Sequence, residues 1–172
     1  MSNSSLVEAV GARLEEAGLH GALAFLNSRT PHRFTGVYRY DGDMLRNEAL
    51  YDRYSPEALR GDDVPMALAY CALVGERGEG LLFEDAREDP RFAWKPGSPV
   101  VSYCGALLHD EAGRPFGTIC HFDLDRCEPN VSELERLDEV TPLIYRWLQS
   151  GGARGRERLD RPASEPDEAA RG

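Results

Sequence analysis

A pair of strand-forming runs near the middle of the chain limits the fold more than any other feature. Residues 102–123 read SYCGALLHDEAGRPFGTICHFD, in which two runs of β-branched, aromatic and small apolar residues flank the sequence DEAGR. Acidic residues followed by a glycine suit a tight reversal with a positive φ. The pattern predicts a β-hairpin, and therefore a sheet that contains antiparallel neighbours.

Other segments predict a second hairpin and several helices. Strand patterns occur over three further stretches, at 33–40, 44–51 and 81–84. The first two are separated by Asp41-Gly42-Asp43, which is again a hairpin signal. Helical spacing of apolar residues predicts helices that end at Gly18, span about 21–27, begin at Pro65, and span 134–148. Hairpins combined with flanking helices predict an α+β fold around an antiparallel sheet.

Size and charge exclude several classes of protein. The 172 residues suffice for one domain, and no stretch approaches the roughly 18 apolar residues of a membrane span. The first residues lack the basic and apolar regions of a secretory signal, so we expect a cytoplasmic protein. A net charge of −10 argues against nucleic acid and anionic membrane as partners. We expect one folded unit over 1–150 and a disordered polar tail over 151–172.

Three segments resemble motifs of the GAF domain family. The hairpin resembles the last hairpin of that family, with a small apolar strand (Gly105-Ala106-Leu107), a "D-x-x-G-R-P-x-G" turn and a "G-T-x-C-x-x-D" strand. The sequences YCALV at 70–74 and DAREDPRF at 85–92 are similar to two further family segments. The resemblance covers roughly residues 30–148. It implies a GAF-like antiparallel sheet of five or six strands, with terminal helices on one face and a cavity under a helix and loop on the other.

The same resemblance implies where a small ligand would bind. Residues 69–74 and 89–95 would cover the cavity, and strand tyrosines would form its floor. We expect a ligand-binding site among Tyr38, Tyr51, Tyr70, Cys71, Arg91, Phe92, Trp94 and Tyr103. Cations and aromatic rings in one proline-punctuated loop independently suit an anionic or aromatic molecule. The alternative is that Phe92 and Trp94 fill the cavity themselves while Arg91 pairs with Asp89 or a surface acid.

The cysteines and histidines indicate neither a metal site nor a redox motif. The four cysteines, Cys71, Cys104, Cys120 and Cys127, lack C-x-x-C spacing. A symmetric hairpin would pair His109 with Arg114 and Cys104 with Ile119, which places Cys104 and Cys120 on opposite faces. The histidines at 109 and 121 would then lie too far apart to share a metal, so we expect none. For Cys71 the helix offers no cation before Arg77, which favours a buried, unreactive thiol over a redox sensor.

Three functions stay open at this point. We expect a small-molecule sensor that works in signal transduction through an unidentified partner protein, without catalytic residues and with no identifiable cofactor. The second is a ligand-free GAF domain that dimerises, and in either case we expect a homodimer through the terminal helices. The third is a thiol-dependent free methionine-(R)-sulfoxide reductase, an activity of one GAF-type family. That family uses loop cysteines, and the loop at 85–99 contains none.

Overall fold

Most of the secondary structure follows the order that the sequence predicts, but the helix expected to begin at Pro65 begins only at Tyr70, because Pro65 lies in a short strand and Ala69 is extended. A computed structural model describes residues 3–92 and 97–150, so the expected tail at 151–172 lies outside the described residues. The helices are α1 (Asn3–Asn27), α2 (Tyr70–Arg77) and α3 (Glu133–Gln149). The strands are β1 (Phe34–Asp41), β2 (Met44–Asp52), β3 (Val64–Pro65), β4 (Leu81–Phe83), β5 (Ser102–His109) and β6 (Pro115–Asp123). Two 3₁₀ turns, Met66–Leu68 and Pro90–Phe92, flank the region of α2 and β4.

The described strands form one sheet in the order β3-β2-β1-β6-β5-β4, and every neighbouring pair is antiparallel. The β1–β2 and β5–β6 hairpins meet through β1 and β6 at the centre of this sheet. Helices α1 and α3 pack together and cover one face, which we call the α1/α3 face. Helix α2 packs on β5 and β6 from the other side, the α2 face. This confirms the α+β fold class with its two differently covered faces.

Each face has its own apolar core. The core of the α1/α3 face includes Val10, Leu23, Ile119, Leu137 and Ile144, all shielded from solvent. The core of the α2 face is richer in aromatic rings and contains two of the cysteines. Complete burial of an aliphatic or aromatic side chain contributes about 1.5–3 kcal/mol. Both faces therefore stabilise the sheet, and the sheet separates their side chains.

Local features of the helices follow from glycine and proline. Gly18 interrupts α1 with a φ of +73°, a region that glycine enters without steric cost, which agrees with the two predicted helices. Pro142 lies inside α3 and leaves the carbonyl of Asp138 without its helical donor. The Thr141 hydroxyl donates to that carbonyl at 2.9 Å. This bond satisfies the oxygen, and the helix continues to Gln149.

The hairpin register differs by two residues from the symmetric pairing. Cys104 lies opposite His121 rather than Ile119, and Gly105 lies opposite Cys120. A bulge between Leu108 and His109 contributes to the difference. Since strand side chains alternate between faces, a shift of two residues preserves the face of each side chain. The prediction that Cys104 and Cys120 point to opposite faces is therefore confirmed, with Cys104 in the α1/α3 core.

Candidate functional site

The space between α2 and the sheet, the α2 compartment, is where the structure brings chemically active side chains together. Helix α2 starts at Tyr70, directly after the extended residue Ala69. Its second residue, Cys71, is buried against side chains from β1, β5 and β6. The Tyr40 hydroxyl of β1 donates to the Cys71 carbonyl at 2.6 Å, which fixes the start of the helix over the sheet.

Polar atoms converge on the Cys71 sulfur within this compartment. The Thr118 hydroxyl donates to the sulfur at 3.0 Å, and the Tyr103 hydroxyl lies 3.1 Å from it. The sulfur of Cys120 is 3.9 Å away. Thr118 and Cys120 are two residues apart on β6, so strand alternation puts both on the α2 face. The result is a small polar group in a compartment that is otherwise apolar.

The two sulfurs differ in their electrostatic environment. Burial alone would raise the pKa of the Cys71 thiol, but hydrogen bonds from Cys120, Thr118 and Tyr103 together bring this pKa below its ordinary value. Burial raises the pKa of Cys120 well above its ordinary value, and its hydrogen bond to Cys71 adds to the effect. Cys71 is therefore the better candidate for a thiolate, and Cys120 for a protonated thiol.

Aromatic side chains fill the outer part of the compartment. Tyr70 packs edge-on against Phe83 and Phe92, with ring centroids 4.8 and 5.3 Å away. Phe83 is 4.5 Å from Phe92 and stacks on Tyr103 at 5.8 Å. Such spacings are those of favourable aromatic pairs. In the described part of the chain, these rings occupy the space that the resemblance assigns to a ligand.

Five of the expected ligand-binding residues come together in the α2 compartment, namely Tyr38, Tyr70, Cys71, Phe92 and Tyr103. Tyr51 does not join them, because it packs against the α1/α3 core and lies 5.5 Å from the His20 ring. The reason is a bulge in β2: Val37 pairs with Ala49, but Tyr38 pairs with Asn47. The extra residue reverses the alternation, so the residues after the bulge face the other way.

Two of the three loop residues, Arg91 and Phe92, have the contacts that the filled-cavity alternative describes. Arg91 pairs with the Asp89 carboxylate at 2.8 Å, donates to the Leu82 carbonyl at 3.2 Å, and lies over the neighbouring ring of Phe92. Phe92 is buried in the aromatic group. Trp94 lies outside the described residues. The arginine is thus held by contacts to its own loop and to the neighbouring strand β4.

Sequence reasoning missed Thr118, Cys120 and Tyr40 as neighbours of Cys71. The signal for two of them was present, because Thr118, Cys120 and Phe122 alternate along β6 and share a face with Tyr103. What the sequence did not provide was the position of α2 over that face. The contact between Cys71 and Cys120 joins residues 49 positions apart.

A buried polar network occupies the α1/α3 face at the end of β6. The Asn27 amide donates to the Thr35 hydroxyl at 2.9 Å, and this hydroxyl contacts His121 Nδ1 at 2.7 Å. His121 Nε2 lies 2.9 Å from the carboxylate of Glu133, the first residue of α3. Since the Thr35 hydroxyl already accepts a bond from Asn27, it can donate to Nδ1, which leaves Nε2–H for the carboxylate. His121 is therefore a hydrogen-bonded structural histidine.

His32 stacks on His121 with 5.7 Å between ring centroids, and its Nε2 is buried without a hydrogen-bond partner. Burial, assisted by the nearby His121, lowers the pKa of His32 from 6.5 to about 3. Below pH 6.5 the His32 imidazole is protonated in the unfolded chain but stays neutral in the folded chain. The free energy of unfolding should therefore fall as the pH drops from 6.5 towards 3, by about 1.4 kcal/mol per pH unit. Urea unfolding of wild type and His32→Gln at pH 7, 5 and 4 measures this slope.

The His32→Gln protein should show a correspondingly shallower pH dependence. His109→Gln is the matched control, because the His109 side chain is exposed. An equal slope in wild type and His32→Gln would contradict this assignment.

Two further features bear on the choice of site. In residues 3–92 and 97–150, no three His, Cys, Asp or Glu groups are placed to hold a metal ion, and no helix is long and apolar enough to cross a membrane.

An open cleft of about 540 Å³ lies between the β5–β6 turn and α3, with His109, Glu111, Tyr145 and Arg146 among its lining residues. Tyr145 donates to Glu111 at 2.8 Å within it. The cleft is open to solvent, whereas the α2 compartment gathers several polar atoms around one buried sulfur, so the α2 compartment is the better candidate.

Comparisons with known proteins identify the fold. No family model and no curated protein matches the chain. Solved structures do match, among them the GAF domain of an Acinetobacter phosphoenolpyruvate-protein phosphotransferase, with 15% identity, coverage of 87% of this chain and 98% of that chain, and a TM-score of 0.62. The phycocyanobilin-bound GAF domain of a cyanobacterial phytochrome matches with 11% identity, 83% and 91% coverage, and a TM-score of 0.60.

An enzyme of the same fold is also similar to this chain. The free methionine-R-sulfoxide reductase of Neisseria meningitidis, solved in complex with its substrate, shares 16% identity over 81% of this chain and 84% of that chain, with a TM-score of 0.61. Identities this low establish the fold alone. The chain has a GAF-type fold, and the structures that share it include a phycocyanobilin-bound GAF domain and a reductase.

Proposed function

We propose that this GAF-fold chain is a regulatory sensor module, which takes up a small molecule beneath α2 and passes the resulting change to a partner protein. The observation that carries the proposal is the convergence of the Cys71, Thr118 and Tyr103 polar atoms within 3.0–3.1 Å inside an apolar compartment. Small-molecule sites are commonly apolar spaces with a few converging polar groups. Two of the structures with the same fold contain a bound substrate or chromophore in the equivalent type of domain.

A ligand can enter only by moving the side chains that now fill the compartment. Tyr70 and Phe92 form its outer layer, and Tyr70 belongs to the first turn of α2. A ligand that replaces their contacts would favour a state in which α2 is displaced from the sheet. The displaced helix would present a changed surface to a partner, and this is the proposed output of the module.

Thermal denaturation of the reduced protein tests the proposal. The probes are nucleotides, amino acids including methionine sulfoxide, and aromatic acids. A compound present at 100 times its dissociation constant adds about 2.7 kcal/mol to stability, which should raise the Tm by about 5–10 °C. Thr118→Val keeps the side-chain shape but removes the hydroxyl, so it should reduce the shift at equal ligand concentration. Thr141→Val, on α3 and away from the compartment, is the control that should keep it.

The absence of a shift with every probe would contradict the sensor proposal and favour a ligand-free dimerisation domain. Sedimentation equilibrium would then be the informative measurement, because a homodimer is expected under both functions. A protein that stays monomeric in this measurement and also binds no probe would contradict both the sensor function and the dimerisation function.

A second candidate, a methionine sulfoxide reductase, is favoured by one observation, the 3.9 Å separation of the Cys71 and Cys120 sulfurs. NADPH-coupled turnover of free methionine sulfoxide with a thioredoxin system tests it directly. Turnover that disappears in Cys71→Ser but persists in Cys104→Ser would favour the reductase. We expect no turnover under the sensor proposal.

A further inference from the structure

Two buried sulfurs face each other across the α2 compartment. Cys71 of α2 and Cys120 of β6 are 4% and 1% exposed, and their sulfurs are 3.9 Å apart. A disulfide needs a sulfur–sulfur distance of about 2.05 Å, so the sulfurs would have to approach by roughly 1.9 Å. Rotation of one side chain together with a small movement of α2 towards β6 could supply such an approach. The other buried cysteine, Cys104, points to the opposite face of the sheet.

The hydrogen bonds around this pair distinguish the roles of the two sulfurs. Thr118 donates to the Cys71 sulfur, and the Tyr103 hydroxyl lies at hydrogen-bond distance from it. Cys71 is also the second residue of α2, at the positive end of the helix dipole. These groups stabilise negative charge on Cys71. Cys120 lies beside it with the thiol proton that a second reaction step requires.

We infer that Cys71 and Cys120 form a reversible disulfide when the protein encounters hydrogen peroxide or a small organic hydroperoxide. The Cys71 thiolate attacks the peroxide oxygen that carries hydrogen, the O–O bond breaks, and the released hydroxide or alkoxide takes up from solvent the proton that the Cys71 thiol lost, leaving as water or alcohol. This gives a sulfenic acid on Cys71. The Cys120 sulfur then attacks the Cys71 sulfur, its proton goes to the departing hydroxide, and water leaves as the S–S bond forms. Two thiols are oxidised, and one peroxide is reduced.

Access and consequence both depend on α2. The helix has eight residues, and Ala69 at its N-terminus provides no side-chain cap, so local opening of this helix is the route by which a small oxidant reaches the sulfurs. The disulfide would change the sulfur acceptor that Thr118 and Tyr103 now contact. It would also pull the start of α2 towards β6, away from the position fixed by Tyr40. Oxidation would thus move the same helix that the proposed ligand moves, but it requires no ligand.

The test uses the wild-type chain, so it does not depend on a variant that folds. Native protein is treated with hydrogen peroxide, quenched with catalase, unfolded and alkylated with N-ethylmaleimide. We expect two of the four cysteines to escape alkylation, and we expect the mass measured before alkylation to be lower than that of the reduced protein by two hydrogen atoms. A non-reducing peptide map should join the peptides of Cys71 and Cys120, and dithiothreitol should restore all four thiols.

The variants and outcomes separate this inference from its alternatives. Cys104→Ser should behave as the wild type does, whereas Cys71→Ser and Cys120→Ser should form no internal link. A link through Cys104 or Cys127 would overturn the inference, as would sulfinic acid on Cys71 as the main product. So would four free thiols after a peroxide exposure that oxidises the urea-unfolded chain. None of these results affects the ligand proposal, because the thermal shifts are measured in reductant.

Discussion

Replacing Glu133 with alanine is expected to lower the free energy of unfolding by about 3 kcal/mol. The Glu133 carboxylate is 3% exposed and accepts the bond from His121 Nε2 at 2.9 Å, while His121 is fully buried. Removing the carboxylate leaves a buried ring N–H without an acceptor and frees the start of α3 from β6. Chemical denaturation of the two proteins at pH 7 measures the difference.

Glu135→Ala is the matched control for this substitution. Glu135 also lies in the first turn of α3, but its side chain is exposed. Its loss should change stability by less than about 0.5 kcal/mol, as is usual for surface positions. Glu133→Gln retains an acceptor oxygen and should cost less than Glu133→Ala. Equal losses in Glu133→Ala and Glu135→Ala would show that the buried contact contributes nothing.

The second large effect is expected for Gly117→Ala, which we predict to cost about 3 kcal/mol. Gly117 lies on β6, where this strand pairs with β1. A Cβ at this position would lie 2.0 Å from the Tyr38 carbonyl oxygen and 3.0 Å from the Arg39 Cα. These are backbone atoms, so the clash cannot be relieved by a side-chain rotation. The central pair of strands must separate, and thermal or urea denaturation should detect the loss.

The same substitution at Gly11 is expected to stabilise the protein, in contrast to Gly117→Ala. A Cβ at Gly11, inside α1, would meet only Leu143 at 3.8 Å, an ordinary contact. Alanine there should stabilise the protein by about 0.5–1 kcal/mol, because glycine is unfavourable within a helix. A Gly117→Ala protein as stable as the wild type would refute the close approach of β1 and β6.

Much of the fold was predictable because its signals are local. The acidic residues and Gly113 between two apolar runs predicted the β5–β6 hairpin, and Gly113 indeed has a φ of +82°. The position of Gly18 likewise predicted the break in α1. Turn residues and alternation depend on the chain within a few positions, so a single sequence carries this information.

The candidate site was harder to predict because it depends on register and on distant contacts. One extra residue in β2 placed Tyr51 on the opposite face from Tyr38, and no turn residue announces that bulge. The expectation of an unreactive Cys71 considered only its neighbours along the helix. The groups that surround its sulfur, Thr118 and Tyr103, come from strands β6 and β5, which are distant from α2 along the chain.

Because consecutive side chains of β6 point to opposite faces of the sheet, this one strand contacts both apolar cores. Cys120 and His121 are consecutive, yet one side chain belongs to the α2 core and the other to the polar network that holds the first residue of α3. A backbone shift that accommodates a new contact at Cys120 also moves the imidazole on the reverse side. A displacement of β6 under α2 therefore also displaces the start of α3. The peptide bond between the two residues transmits it, and no side chain has to pass through the sheet.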